Sequence, residues 1–159
     1  MKAREFNWAK VKNIQKIHRY LYTIGLGPLI GKIILLLTTT GYRSGKKRVT
    51  PVQYEVIGGD YYVGAARGLK ADWVHNIQAE PRVEVHVGAK HFCAMAEVVN
   101  DPARFADFLE VRIARHPRMI GIIMEKAHGL PRHPRREQLE ALAETETLVI
   151  LHPIRFSEN

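Results

Sequence analysis

Between residues 35 and 52 the chain reads LLLTTTGYRSGKKRVTPV, and here the residue types with chemical potential are densest. Arg43, Lys46, Lys47 and Arg48 crowd one turn, with the hydroxyls of Thr39, Thr40 and Ser44 around them. Gly41 and Gly45 let backbone approach a ligand closely. Backbone N–H groups in such a turn form an anion-binding concavity, and the cations add charge-assisted hydrogen bonds. The simplest ligand for that set is a phosphate or a polycarboxylate. A solvated hairpin tip has the same composition, because charge keeps turns wetted and strand edges unpaired. The turn alone leaves both readings open.

The other familiar chemistries are missing. There is no nucleophile elbow, no P-loop, no HExxH and no GxGxxG after a strand. The eight histidines are scattered. His128 and His133 share a loop, and His86 and His91 flank one hairpin, but neither pair has the further ligands a metal site needs. Cys93 stands alone, which excludes an internal disulfide. A phosphate-type turn without an acid–base team fits a protein that takes its reactivity from an organic cofactor, which it binds, orients and shields.

The elements that must position the turn follow from periodicity. Apolar, β-branched runs predict strands over 33–40, 49–57, 61–66, 82–87, 91–99 and 147–151. Over 82–87, Val83, Val85 and Val87 point inward, and Arg82, Glu84 and His86 outward. Gly58-Gly59-Asp60 and Gly88-Ala89 are hairpin turns. Helices are predicted near 5–22, 71–79, 101–115, 119–126 and 134–143, with Asp101-Pro102 as N-cap and first helical residue of the third. Six short strands with hairpin connections and late helices give an α+β class, a mainly antiparallel six-stranded barrel in one domain over residues 1–159.

The 159 residues are 46% hydrophobic and 25% charged, ordinary for a globular chain. Net charge is +8, so nucleic acid, an anionic membrane surface and an anionic small molecule are all electrostatically suitable partners. Tyr42 is the sole aromatic inside the basic turn, which weighs against stacked single-stranded RNA. Residues 5–22 form a basic amphipathic pattern that suits either peripheral membrane contact or packing on its own domain. The most apolar window, 26–37, holds Pro28 and Lys32 and is too short to span a bilayer. With no signal-peptide pattern, a cytoplasmic location is expected.

Two segments together carry a resemblance. Residues 36–45 (LLTTTGYRSG) with Arg48 and Pro51, and residues 63–68 (VGAARG) followed by ADWVHNI and AEPRV, resemble the deazaflavin-dependent nitroreductase family across roughly residues 28–100. That resemblance implies a split β-barrel, coenzyme F-420 (a deazaflavin with a phosphate and an oligoglutamate tail) and hydride transfer to a hydrophobic or quinone-like acceptor. It implies that Arg43, Ser44, Lys46, Lys47 and Arg48 hold the phosphate and tail. Pro51, Val52, Ala65, Ala66 and Arg67 would approach the ring, while Trp73 would wall the pocket or anchor its helix, and Asn76 would touch cofactor or brace the neighbouring loop. Tyr42 and Ala66 depart from the family pattern, which more often has a basic residue and a serine there. An FMN-dependent reductase on the same barrel is the near alternative, and a non-catalytic flavin- or haem-binding protein the distant one. By fold analogy a homodimer is expected.

Overall fold

A computed structural model of the protein describes residues 34–155. The expected helix over 5–22, and with it any membrane contact, lies outside the described residues. Among the described residues there are six strands: β1 (Ile34–Thr40), β2 (Lys47–Ile57), β3 (Asp60–Ala65), β4 (Arg82–Val87), β5 (Lys90–Val99) and β6 (Thr147–Pro153). Four α-helices accompany them: α1 (Asp72–Ala79), α2 (Pro102–Arg115), α3 (Pro117–His128) and α4 (Arg136–Ala141). The strands close into an antiparallel barrel in the order β1-β2-β3-β6-β5-β4, with β1 paired back onto β4. This is the expected α+β barrel.

Alternation decides what fills the barrel. Leu35, Leu37, Val52, Val63, Val83, Val85, Val149 and Leu151 turn inward and are buried. The opposite faces of β3 and β6 present Tyr62, Leu148 and Ile150 to a second apolar layer made with Phe105, Phe108, Leu109, Ile120, Met124 and Leu139 of α2, α3 and α4. β6 is therefore buried on both faces, which is why its sequence is a continuous apolar run.

The helices begin and end where local chemistry requires. The Asp101 carboxylate accepts a hydrogen bond from the Ala103 N–H at 2.9 Å, with Pro102 at the first helical position. Pro117, expected to stop the preceding pattern, also starts α3 after a break at His116. The predicted helix over 134–143 runs as α4 and then a 3-10 turn at Leu142–Glu144. Arg136 clamps α4 to α2, donating to Asp107 at 2.7 Å and to the Ala103 carbonyl at 2.9 Å. No helix among the described residues is long and apolar enough to cross a membrane.

Candidate functional site

The basic turn links β1 to β2. The Gly41 N–H donates to the Lys46 carbonyl at 2.7 Å, and the Gly45 N–H to the Gly41 carbonyl at 2.8 Å. A Cβ on Gly41 would lie 2.7 Å from Ser44 Oγ and 3.2 Å from the Lys46 carbonyl, so a side chain there would force the turn open. Ser44 Oγ accepts from the Lys46 N–H at 3.2 Å. The Arg43 guanidinium lies over the Tyr42 ring, 5.2 Å from its centroid. Lys47 Nζ stands 3.7 Å from Glu84, a half-exposed pair of small energetic value.

Asn76 fastens this turn to α1. Its Oδ1 accepts from the Tyr42 N–H at 3.0 Å, and its Nδ2 donates to Thr39 Oγ1 at 3.0 Å. The residue is 4% exposed, so both ends of the amide are committed inside the protein. Of the two roles expected for Asn76, the geometry is that of a brace.

From the turn, β2 runs directly into a groove of about 730 Å³ between the outer barrel wall and α2 and α3. Pro51, Val52, Ala65, Ala66, Arg67 and Trp73 all line it, brought together from β2, the end of β3 and the start of α1. Gly64, Ala65, Ala66 and Ala71 give it a wall with little side-chain bulk. Phe105, Phe108, Leu109 and Ile123 make the facing apolar wall. Trp73 lines the groove and also packs against the barrel core. Arg43, Ser44, Lys46, Lys47 and Arg48 do not line the groove. They stand beyond its β2 end, where Arg48 precedes Thr50 by one strand repeat, roughly 6–7 Å.

Gly68 lies one residue beyond the groove wall, lining an adjoining cavity. It has a φ of +59°, and a Cβ there would come within 2.5 Å of the Thr145 carbonyl. That close approach holds the segment after β3 against the segment before β6. As a result Arg67 and Glu146 face the same groove.

Charged residues that sequence reasoning did not single out complete the site. Glu55, on the outward face of β2, has a side chain only 7% exposed. Arg112 Nε at 3.7 Å, Arg115 Nη1 at 3.2 Å and His116 Nε2 at 2.8 Å surround its carboxylate. Arg112 also donates to Gln53 Oε1 at 2.8 Å and reaches the groove. Burial pulls the Arg112 guanidinium below its ordinary range, while Glu55 and Glu146 pull it back up. His128, the last residue of α3, places Nε2 3.4 Å from Glu146 Oε1, and both line the groove. Burial raises the Glu146 carboxyl, against the opposing pull of His128 and Arg112. The only hint in the sequence was a histidine expected in a loop; its partner lies across the fold. Among the described residues no group of three or more His, Cys, Asp or Glu could hold a metal ion.

These features fit a flat, largely apolar ring bearing an anionic extension: a groove walled by small residues on one side and aromatic ones on the other, continued by a cationic turn. The family profile for F420H(2)-dependent quinone reductase matches residues 11–118. The F420H(2)-dependent quinone reductase of Mycobacterium tuberculosis (strain ATCC 25618 / H37Rv) is 38% identical over 73 residues, 43% of this chain and 49% of that relative. The match thus spans about half the length of this curated relative. Among solved structures, an F420-H2 dependent reductase, FDR-A, superposes with a TM-score of 0.52 at 24% identity, covering 76% of this chain and 95% of that one. A structure described as a domain-swapped dimer gives 0.53 at 23% identity, covering 89% and 95%. Both likenesses concern the fold.

Proposed function

The chain belongs to the F420H(2)-dependent quinone reductase family, and from that premise we propose that it transfers a hydride from reduced coenzyme F-420 to a quinone-like acceptor. The observation that carries this reading is the meeting of Pro51, Val52, Ala65, Ala66, Arg67 and Trp73 in one groove whose β2 wall continues into the four-cation turn. When bound, the deazaflavin supplies the hydride. The chain's own residues do the rest. Small side chains on the barrel wall admit the ring, Phe105 and Phe108 opposite exclude water, and Arg43, Ser44, Lys46, Lys47 and Arg48 take the phosphate and acidic tail. Asn76 holds that turn in place without touching ligand. The space toward Ile123, Arg112 and His128 receives the acceptor.

FMN also carries a phosphate, but it lacks the polyanionic tail that would engage the further cations. Deazaflavin should therefore bind more tightly, with a preference that weakens as salt screens exposed charge beyond about 10 Å at 0.1 M. We read the chain as one cytoplasmic domain, and on the example of the domain-swapped relative we propose a homodimer, which light scattering would test.

Calorimetric titration of the wild type and Arg43→Ala with deazaflavin and FMN tests the assignment. Losing one charge-assisted contact should cost about 1.5–3 kcal/mol of deazaflavin binding, roughly tenfold to a hundredfold in Kd. Arg43→Lys should recover only part, since an ammonium lacks the planar fork. Thermal melts of both variants should match the wild type, because Arg43 is exposed. Unaltered affinity in a well-folded Arg43→Ala protein would remove Arg43 from the cradle, and equal affinity for the two cofactors would favour the FMN reading.

A further inference from the structure

We propose that His128 and Glu146 are the groove's proton-delivering pair, passing one proton to the acceptor's oxygen as the acceptor is reduced. The inference rests on the hydride-transfer reading above and adds residues to it. Reducing a quinone to its hydroquinone takes two electrons and two protons. A hydride provides both electrons and one proton. The hydride forms an O–H bond at one quinone oxygen, the ring π electrons shift so that the opposite carbonyl π pair becomes a lone pair on its oxygen, and that oxygen must take the second proton.

Among the groups lining the groove, His128 and Glu146 are suited to supply it. Their side chains are 19% and 15% exposed, enclosed by protein yet within reach of a bound molecule. They sit 3.4 Å apart, an ion-pair distance at which the two groups together hold one proton. With that proton the pair is neutral overall, either as imidazolium with carboxylate or as imidazole with carboxylic acid. After delivery it carries one negative charge and reloads from water. His128 closes α3, at the negative end of the helix dipole. Burial acting on Glu146 favours its protonated form.

The surrounding charges suit both states. Arg112 of α2 faces the pair and stabilises the negative charge left behind. Arg67, after β3, and Asp72, opening α1, are the other charged groups on the groove and offset each other. Lys70 and Glu144 flank Glu146 from an adjoining cavity of about 420 Å³.

The test compares wild type with His128→Gln, Glu146→Gln and Glu146→Asp. Histidine-ring carbon NMR on the protein without cofactor comes first. The signal missing from His128→Gln belongs to His128, and its chemical shift should move in Glu146→Gln, where an amide replaces the carboxylate 3.4 Å from the ring. Turnover with deazaflavin is then measured on two acceptors. Menadione needs the extra proton, whereas a tetrazolium cation becomes neutral formazan on taking a hydride alone. Each glutamine variant should lower the menadione-to-tetrazolium ratio of kcat by about a hundredfold, the lower end of general-acid contributions. Glu146→Asp should recover part of the ratio.

An unchanged ratio, or a His128 signal unmoved by Glu146→Gln, overturns the proposal. If one variant folds poorly by circular dichroism, the other two still decide it. Deazaflavin titration of the wild type is read separately: failure to bind rejects the hydride-transfer reading itself, whereas binding with an unchanged ratio rejects only the role of the pair.

Discussion

Asn76→Ala separates bracing a cofactor turn from touching the cofactor. The substitution deletes the acceptor of the Tyr42 N–H and the donor to Thr39 Oγ1, both at 3.0 Å. A typical intramolecular hydrogen bond is worth about 1 kcal/mol net. The Thr39 hydroxyl, 1% exposed, also loses that partner where water cannot easily replace it, at a further cost of about 1–2 kcal/mol. The sum is a loss of about 3–4 kcal/mol, or roughly 6–16 °C in Tm for a chain of this size. Urea unfolding followed by circular dichroism reads it. Thr39→Val should cost less, because only one of the two bonds is lost, and the double variant should fall short of the sum by about 0.5–1.5 kcal/mol, since the two residues share a bond. Deazaflavin affinity should fall as well, through a turn no longer held against α1. Wild-type stability in Asn76→Ala would refute the brace. Weakened binding at unchanged stability would mean that the amide contacts ligand.

Two other perturbations follow from the geometry. Gly68→Ala places a Cβ 2.5 Å from the Thr145 carbonyl at a φ of +59°. It should cost more than the ~1 kcal/mol typical of a point mutant and weaken cofactor binding with it, as paired melts and titrations would show. Glu55→Gln leaves the Arg112 side chain, 12% exposed, without its countercharge. Because Arg115 and His116 are more exposed and can turn to water, the loss should be about 2–3 kcal/mol, below the 3–5 expected for a fully buried pair, and denaturant unfolding measures it.

Much of this architecture is legible in the residues. Val83, Val85 and Val87 alternate as written and are buried as written, because a two-residue period leaves a half-buried strand little choice. Asp101-Pro102 caps α2 for reasons wholly local to those residues. Pro51, Val52, Ala65, Ala66 and Arg67 line one groove, and two short sequence motifs carry them. What was not readable is long-range pairing. Nothing local to β2 marks Glu55 as the partner of Arg112, Arg115 and His116, which α2 and the residue after it bring across the fold. His128 seemed a loop residue until α3 extended to include it and β6 carried Glu146 alongside. Asn76 had two candidate roles until the turn folded onto α1. No periodicity encodes such contacts, because each partner is set by the closure of the barrel.

The strand order has a consequence for how this molecule is made. β6 lies between β3 and β5, yet more than eighty residues separate Ala65 from its partner Thr147. On a ribosome the β1–β2–β3 meander and the β4–β5 hairpin emerge first, leaving β3 and β5 with open edges until β6 arrives. Such distant pairing is slow to form and leaves aggregation-prone surface exposed while it does. The groove cannot precede that step, because Glu146 and the Thr145 carbonyl against Gly68 both arrive with β6. A nascent chain is thus unable to capture cofactor at the meander stage. A ligand of the groove can stabilise only the fully zipped barrel, so cofactor supply in the cell would act on the yield of finished protein rather than on its early folding.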